Sequence, residues 1–194
     1  MTNKKFMIGI MLIISVLTLA ACTNDNKETG PNEENDENTE MESSSDEGMD
    51  MEHSGSGEVP DGLKEAENPT YEVGSKAIIE TDHMEGMKGA EATIVGAYDT
   101  TAYVISYTPT TGGERVENHK WVIQEEIKNA DDETLDSGVE VTIEADHMKG
   151  MEGAEAEIES AKQTTVYMID YTPSTGGDEV KNHKWVTDSE LSAE

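Results

Sequence analysis

The sequence contains one cysteine and one phenylalanine, and aromatic side chains make up only 5% of its 194 residues. A single Cys excludes an intrachain disulfide and a cysteine-based zinc site. Basic residues are also scarce, since 13 Lys and Arg stand against 43 Asp and Glu, for a formal net charge of −30. That charge excludes a nucleic-acid binder, because phosphate binding requires a basic surface. Only 34% of the residues are hydrophobic, which is too few for one large core.

The beginning of the chain has the pattern of a bacterial lipoprotein signal. Two lysines precede an almost entirely apolar run at residues 6–19, which is too short to cross a bilayer as a permanent helix. Leu19-Ala20-Ala21-Cys22 follows as a lipobox, so the only Cys lies where a lipidated Cys must lie. We therefore expect removal of residues 1–21 and a lipid anchor on Cys22 that holds the protein on the membrane outside the cytoplasm. The alternative is an ordinary signal peptide with a chance Cys.

Residues 22–70 have the composition of a disordered acidic tether. Asn, Glu, Asp, Ser and Gly dominate this stretch, so it lacks the apolar surface that offsets the entropy of ordering. One patch departs from that composition, because Met49, Met51 and His53 lie close together among Asp and Glu. Thioether and imidazole groups are ligands for soft metal ions, which makes these three residues candidate ligands. Random drift in a low-complexity segment is the alternative.

The rest of the chain is one module written twice. With His83 aligned to His147, Gly74–Ile127 matches Gly138–Leu191 without a gap. Each copy has runs of alternating character, rich in β-branched and aromatic residues, that predict short strands and almost no helix. We expect a tight hairpin at Asp99-Thr100 between two of these strands. The pattern predicts an all-β fold in which each repeat forms its own small barrel or strongly bent sheet, at residues 71–130 and 131–194.

A loop that combines His with Met occurs in both copies. It reads DHMEGM at residues 82–87 and DHMKGM at residues 146–151. Its central glycine permits a tight turn that brings the His and both Met side chains round one point. Thioether sulfur favours Cu(I), and imidazole binds either copper state. The candidate copper ligands are therefore His83, Met84, Met87, His147, Met148 and Met151. The alternative is that the Met side chains plug the end of a barrel while the His hydrogen-bonds the backbone.

A second constellation, NHKWV, occurs at residues 118–122 and again at 182–186. We expect Trp121 and Trp185 to lie in the core, because each copy has only one Trp. His119 and His183 are further candidate ligands, although their spacing does not decide whether they reach the Met loops. The sequence has no nucleophile elbow, phosphate loop or EF-hand spacing, so we expect no enzyme.

Together, the DHMxGMxGAEA, YTPxTGG and NHKWV segments resemble the YdhK family of bacterial lipoproteins, which carry tandem copies of a domain of unknown function. The resemblance covers residues 73–192 together with the lipobox and the acidic leader. It implies two SH3-like barrels on the outer face of the cytoplasmic membrane of a Gram-positive bacterium. It also implies a surface copper-binding lipoprotein with a role in copper tolerance.

The expected function is sequestration of copper, with Cu(I) favoured, by a non-catalytic lipid-anchored protein. A copper-export ATPase is the candidate partner protein, and no nucleic acid is expected as a partner. The alternative is a structural or interaction module that holds a cell-wall polymer or another protein.

Overall fold

The computed structural model describes residues 54–194, which form an antiparallel β structure with no α-helix in that range. The strands are β1 (Lys64–Glu65), β2 (Lys76–Ile79), β3 (Glu91–Tyr107), β4 (Val116–Ile123), β5 (Glu140–Thr142), β6 (Glu155–Tyr171), β7 (Val180–Thr187) and β8 (Leu191–Ser192). Two 3-10 helices, Gln124–Glu126 and Asp188–Glu190, follow β4 and β7. None of the helices in this part of the chain has the length and apolar character needed to span a membrane. The all-β prediction is confirmed.

The two longest strands, β3 and β6, hold the repeats together. Each has 17 residues, and they pair antiparallel along nearly their whole length. Ala92 lies opposite Tyr171 at one end, and Tyr107 lies opposite Ala156 at the other. Because Ala92 corresponds to Ala156 and Tyr107 to Tyr171 in the two copies, the pairing is symmetric. The first half of each long strand meets the second half of the other.

The predicted hairpin at Asp99-Thr100 is wrong, because β3 runs straight through these residues. Asp99 lies opposite Thr165, and Thr100 lies opposite Thr164. The Asp99 carboxylate accepts a hydrogen bond from the Thr165 hydroxyl at 2.7 Å. The polar residues in the middle of the strand therefore pair with the equivalent polar residues of the other repeat, and they do not turn the chain back.

Each of two hydrophobic cores takes one half from each repeat. The first core contains Ala77, Ile79, Met87, Ala90, Ala92, Ile94, Ala97, Tyr167, Ile169, Tyr171, Val180, Val186 and Leu191. The second contains Tyr103, Ile105, Tyr107, Val122, Ile127, Ile143, Ala145, Met151, Ala154, Ala156 and Ile158. The cores therefore cut across the predicted domain boundary near residue 130, and one repeat by itself holds only half of either core.

A third buried cluster contains both tryptophans. Trp121 and Trp185 are 8% and 0% exposed, and they pack with Val104, Val166 and Met168 among other residues of both repeats. The prediction that the tryptophans lie in the core is confirmed.

The sheet as a whole is open. Its pairing order is β5-β6-β3-β2-β8, with β1 and β4 paired to β3 and with β7 paired to β6. Since this path has free ends at β5 and β8, the predicted pair of SH3-like barrels is not confirmed.

Residues 54–70 belong to the fold, which corrects the tether prediction for these positions. β1 pairs with β3, and the side chains of Leu63 and Ala66 pack against two of the buried clusters. Gly55 donates its backbone N–H to the Lys181 carbonyl at 2.8 Å. A few apolar residues are sufficient to order this segment, because it adds to a sheet that the rest of the chain already forms. The remainder of the predicted tether, with Cys22, Met49, Met51 and His53, lies outside the described residues.

A fragment that begins at Ser54 should be as stable as one that begins at Cys22, whereas one that begins at Tyr71 should be less stable. The shorter fragment loses β1 and the buried part of Leu63, and burial of one such side chain contributes about 2 kcal/mol. Thermal unfolding of the two purified fragments measures the difference. Identical melting temperatures would show that residues 54–70 add nothing to the fold.

Candidate metal site

Residues from both repeats line one cavity of about 710 Å³. His83 and His147 come from the loops that precede β3 and β6, whereas His119 and His183 lie on β4 and β7. The predicted ligands that line the cavity are His83, Met84, His119, His147, Met148 and His183. The exchange of strand halves therefore brings together four His and two Met that the sequence separates by up to about a hundred positions.

Met87 and Met151 are not among the cavity residues, which corrects their prediction as ligands. Both are fully buried in the hydrophobic cores. Met87 donates its N–H to the carbonyl of Met84 at 3.2 Å, and Met151 does the same to Met148 at 3.0 Å. These turns place Met87 and Met151 inside the cores, whereas Met84 and Met148 line the cavity and Met84 also packs against the first core. Met87 and Met151 therefore have the packing role of the alternative interpretation, whereas Met84 and Met148 are not buried in the cores.

The Met loops are held in place by the YTPxTGG turns of the opposite repeat. Ser174 donates its N–H to the Gly86 carbonyl at 2.8 Å, and Thr110 donates to the Gly150 carbonyl at 2.9 Å. Gly86 has a φ of 79°, and a Cβ atom there would lie 2.7 Å from Cβ of Pro173. Glycine is therefore required for its left-handed backbone and for the close approach of the turn.

Each loop histidine contacts a glutamate, of which Glu126 is buried and Glu190 is half-buried. The Nε2 atom of His83 lies 2.8 Å from Oε1 of Glu190, and that of His147 lies 2.7 Å from Oε1 of Glu126. The opposite ring nitrogens, Nδ1 of His83 and of His147, are buried and have no hydrogen-bond partner within residues 54–194. Leaving such an atom unpaired costs free energy unless a ligand supplies the partner.

The Glu190 carboxylate receives several hydrogen bonds. Its Oε2 atom accepts from Nε1 of Trp121 at 2.7 Å and from the N–H of Thr187 at 2.9 Å. Burial raises the pKa of this carboxyl, but the hydrogen bond and the charge interaction with His83, together with the hydrogen bonds from Thr187 and Trp121, outweigh burial and lower the pKa to about 2. Glu190 is therefore ionised in the folded protein at all ordinary pH values.

The sequence pattern did not indicate Glu126 and Glu190 as site residues. They occupy the same position in the two copies, directly after the NHKWV strand. Their equivalent positions in the two copies could have pointed to them. In a chain with 43 acidic residues, however, many carboxylates occur at equivalent positions.

His119 lies beside a Met loop of the other repeat. Its ring meets that of Tyr107 edge-to-face at 5.9 Å, and the Tyr107 hydroxyl lies 3.9 Å from Sδ of Met148. Nε2 of His119 is buried and has no hydrogen-bond partner in the described part of the chain. Burial, with added repulsion from His147 and His83, lowers the pKa of His119 to about 4. His119 therefore keeps a free nitrogen lone pair in mildly acidic solution.

The metal-free protein should lose stability as the pH falls from 6.5 to 4. In the unfolded chain His119 takes up a proton near pH 6.5, whereas in the folded protein it does so only near pH 4, so protonation favours unfolding in that interval. After allowance for partial exposure, the loss is on the order of 2 kcal/mol. Denaturant unfolding of the parent and of His119→Gln across this interval measures it. Equal losses in both proteins would refute the assignment to His119.

The donor groups in the cavity are of two kinds. Among residues 54–194, no three His, Cys, Asp and Glu side chains form a group that could hold a metal ion. A site in the cavity would therefore use the thioether sulfur of Met84 or Met148 beside imidazole nitrogen. That combination suits Cu(I) better than the hard cations Mg²⁺ or Ca²⁺.

The family described as "Protein of unknown function (DUF1541)" matches residues 73–124 and again residues 137–188. The chain belongs to this family. Each match coincides with one of the two predicted repeats, so the tandem organisation is confirmed. The "Uncharacterized protein YdhK" of Bacillus subtilis (strain 168) is 59% identical over 195 residues, which cover 100% of this chain and 91% of that protein. Membership of the DUF1541 family thus confirms the predicted resemblance.

Solved structures of the Bacillus subtilis relative have the same fold. The crystal structure of a DUF1541 family protein (ydhK) matches with a TM-score of 0.73 at 68% identity, over 75% of this chain and 99% of that chain. The solution NMR structure of the ydhK C-terminal domain matches with a TM-score of 0.61 at 70% identity, over 63% of this chain and 93% of that chain.

Proposed function

We propose that this protein sequesters copper as Cu(I) outside the cytoplasm, without catalysis. The observation that carries the proposal is a set of buried imidazole nitrogens, on His83, His119 and His147, that lack hydrogen-bond partners within residues 54–194. All three side chains line the cavity that Met84 and Met148 also line. Cu(I) held by one or two of these imidazoles together with a methionine sulfur would supply missing partners, and thioether with imidazole is a donor set that favours Cu(I).

The charge around the cavity supports the binding of a cation. Glu85, Glu117 and Asp146 line it, and the whole chain carries a formal net charge of −30. Lys120 and Lys184 also line it, but each ammonium group lies over the ring of the adjacent tryptophan, at 5.4 and 5.8 Å from the centroid. The field of the protein therefore raises the local concentration of cations.

The cellular location belongs to the same proposal. The lipobox that ends at Cys22 supports a lipid anchor on the outer face of a Gram-positive cytoplasmic membrane, after removal of residues 1–21. Thiolate ligands are at risk of oxidation outside the cytoplasm, whereas Met and His avoid thiol chemistry. A copper-export ATPase in that membrane is the proposed partner, because it would deliver copper to this side.

The acidic segment before the fold extends the proposal. Met49, Met51 and His53 lie outside the described residues, but Ser54, which follows them, lines the cavity. The Ser54 hydroxyl accepts the N–H of Lys181 at 3.0 Å. The proposed additional ligands therefore belong to the stretch of chain that leads to the rim of the cavity.

We also propose that the strands around each core are related to an SH3-like barrel. β7 continues through the 3-10 helix Asp188–Glu190 into β8, and β8 pairs with β2. Strands around the first core therefore follow one another in a strongly bent arrangement, with halves exchanged between repeats.

Titration of fragment 54–194 with Cu(I) against a competing chelator tests the function. We expect the fragment to take Cu(I) with a dissociation constant below micromolar, and a fragment that begins at Gly48 to take up more copper with the same melting temperature. No competition below micromolar would reject the copper proposal and leave the interaction module as the function to pursue.

A further inference from the structure

Glu126 and Glu190 connect the two repeats at the cavity. Glu126 of the first copy contacts His147 of the second, and Glu190 of the second copy contacts His83 of the first. The carboxylate side chains are only 5% and 12% exposed. A carboxylate with little exposure that recurs at equivalent positions beside a candidate ligand indicates a role in the site.

The Oε2 atom of each carboxylate already accepts hydrogen bonds from two N–H groups. Oε2 of Glu126 accepts from the N–H of Ile123 and from Nε1 of Trp185, both at 3.1 Å, and the Trp185 N–H is shared with Oε1 at 3.2 Å. Oε2 of Glu190 accepts from the corresponding donors, Trp121 at 2.7 Å and Thr187 at 2.9 Å. These N–H groups can only donate. Oε1 of each glutamate is therefore the atom that faces the histidine.

We propose that Glu126 and Glu190 fix the tautomers of His147 and His83, so that both buried Nδ1 atoms keep a lone pair for a metal ion. An ionised carboxylate can only accept, so each histidine must carry its proton on Nε2. A hydrogen-bonded carboxylate behind a ligating imidazole both orients the ring and increases its basicity. As positioning residues for metal binding, the two glutamates rest on the proposed function, whereas the tautomers are a property of the metal-free protein.

The arrangement makes each half of the site depend on the other repeat. One repeat supplies the histidine, and the other supplies the carboxylate that orients it. A ligand group and its orienting group are therefore never encoded in the same copy.

Glu126→Gln should reverse the tautomer of His147. The amide has one acceptor oxygen, and the N–H of Ile123, which contacts Oε2 alone, requires it there, where the Trp185 N–H can also donate to it. Its NH₂ group then faces Nε2 of His147, which must accept, and the imidazole proton moves to Nδ1, where it blocks ligation. Glu190→Gln should do the same to His83.

Long-range ¹⁵N–¹H spectra of metal-free fragment 54–194 at about pH 8 test the proposal. The parent should show Nε2–H for both His83 and His147. Glu126→Gln should show Nδ1–H for His147 only, with His83 as the internal control, and its Cu(I) affinity should fall about 10- to 100-fold.

Several results would overturn the proposal. Nδ1–H on His83 or His147 in the parent rejects it outright, and this measurement needs no variant to fold. A reversed tautomer in Glu126→Gln or Glu190→Gln with unchanged Cu(I) affinity rejects the positioning role. A parent that shows the expected tautomers but takes no Cu(I) rejects the proposed function and the positioning role, and leaves the tautomer assignment standing.

Discussion

Neither repeat should fold as a monomer when it is produced alone. Fragment 71–130 contains one half of each core, and so does fragment 131–194. Each fragment also leaves a 17-residue strand without the partner that covers nearly all of its length. The loss is therefore the whole stability of the fold, which for a domain of this size is about 5–15 kcal/mol.

Circular dichroism and sedimentation measure this result. Each fragment at low concentration should show no cooperative melting, and an equimolar mixture should recover the β spectrum of fragment 54–194. A single fragment whose melting temperature rises with concentration would be a homodimer in which a second copy replaces the missing repeat. Cooperative melting of a monomeric fragment would contradict the exchange of halves between the repeats.

Replacement of both cavity methionines should abolish tight Cu(I) binding with little effect on the fold. In Met84→Leu/Met148→Leu the side chains keep their volume and apolar character, so the cost in stability should stay below about 1.5 kcal/mol per site. Leu offers no sulfur lone pair to the metal. We expect Cu(I) affinity to fall by at least about a hundredfold, since each tenfold corresponds to about 1.4 kcal/mol.

The matched control is Met87→Leu/Met151→Leu. These two methionines belong to the same loops but are fully buried in the cores, so their replacement should leave Cu(I) affinity unchanged. Competition titrations of both double variants and the parent separate the two roles. Equal affinities in all three proteins would show that Met84 and Met148 do not bind the metal.

The sequence predicts the strands but not which repeat completes each core. Because the two copies are nearly alike, a core built from halves of both has almost the same composition as a core built within one copy. Alternation on either side of Asp99 is equally compatible with two short strands and with one long one. The absence of Gly and Pro at Asp99-Thr100 agrees with a continuous strand, since a tight hairpin favours such residues.

The residue types of the candidate site could be predicted from the sequence, but the exact side chains that line the cavity could not. The repeated loops and the NHKWV strands contain every His in the described part of the chain. Sequence spacing could not decide which Met of each loop lines the cavity, because only two residues of a turn separate Met84 from Met87. Nor could it single out Glu126 and Glu190, because their role depends on contacts with the opposite repeat.

Anomalous diffraction from crystals of fragment 54–194 saturated with Cu(I) tests the central claim most directly. Data collected on either side of the copper absorption edge locate the metal without reference to any variant. We expect copper in the shared cavity, bound to imidazole nitrogen from both repeats and to the sulfur of Met84 or Met148. An empty cavity at saturating Cu(I), or copper found only on surface carboxylates, would contradict the account.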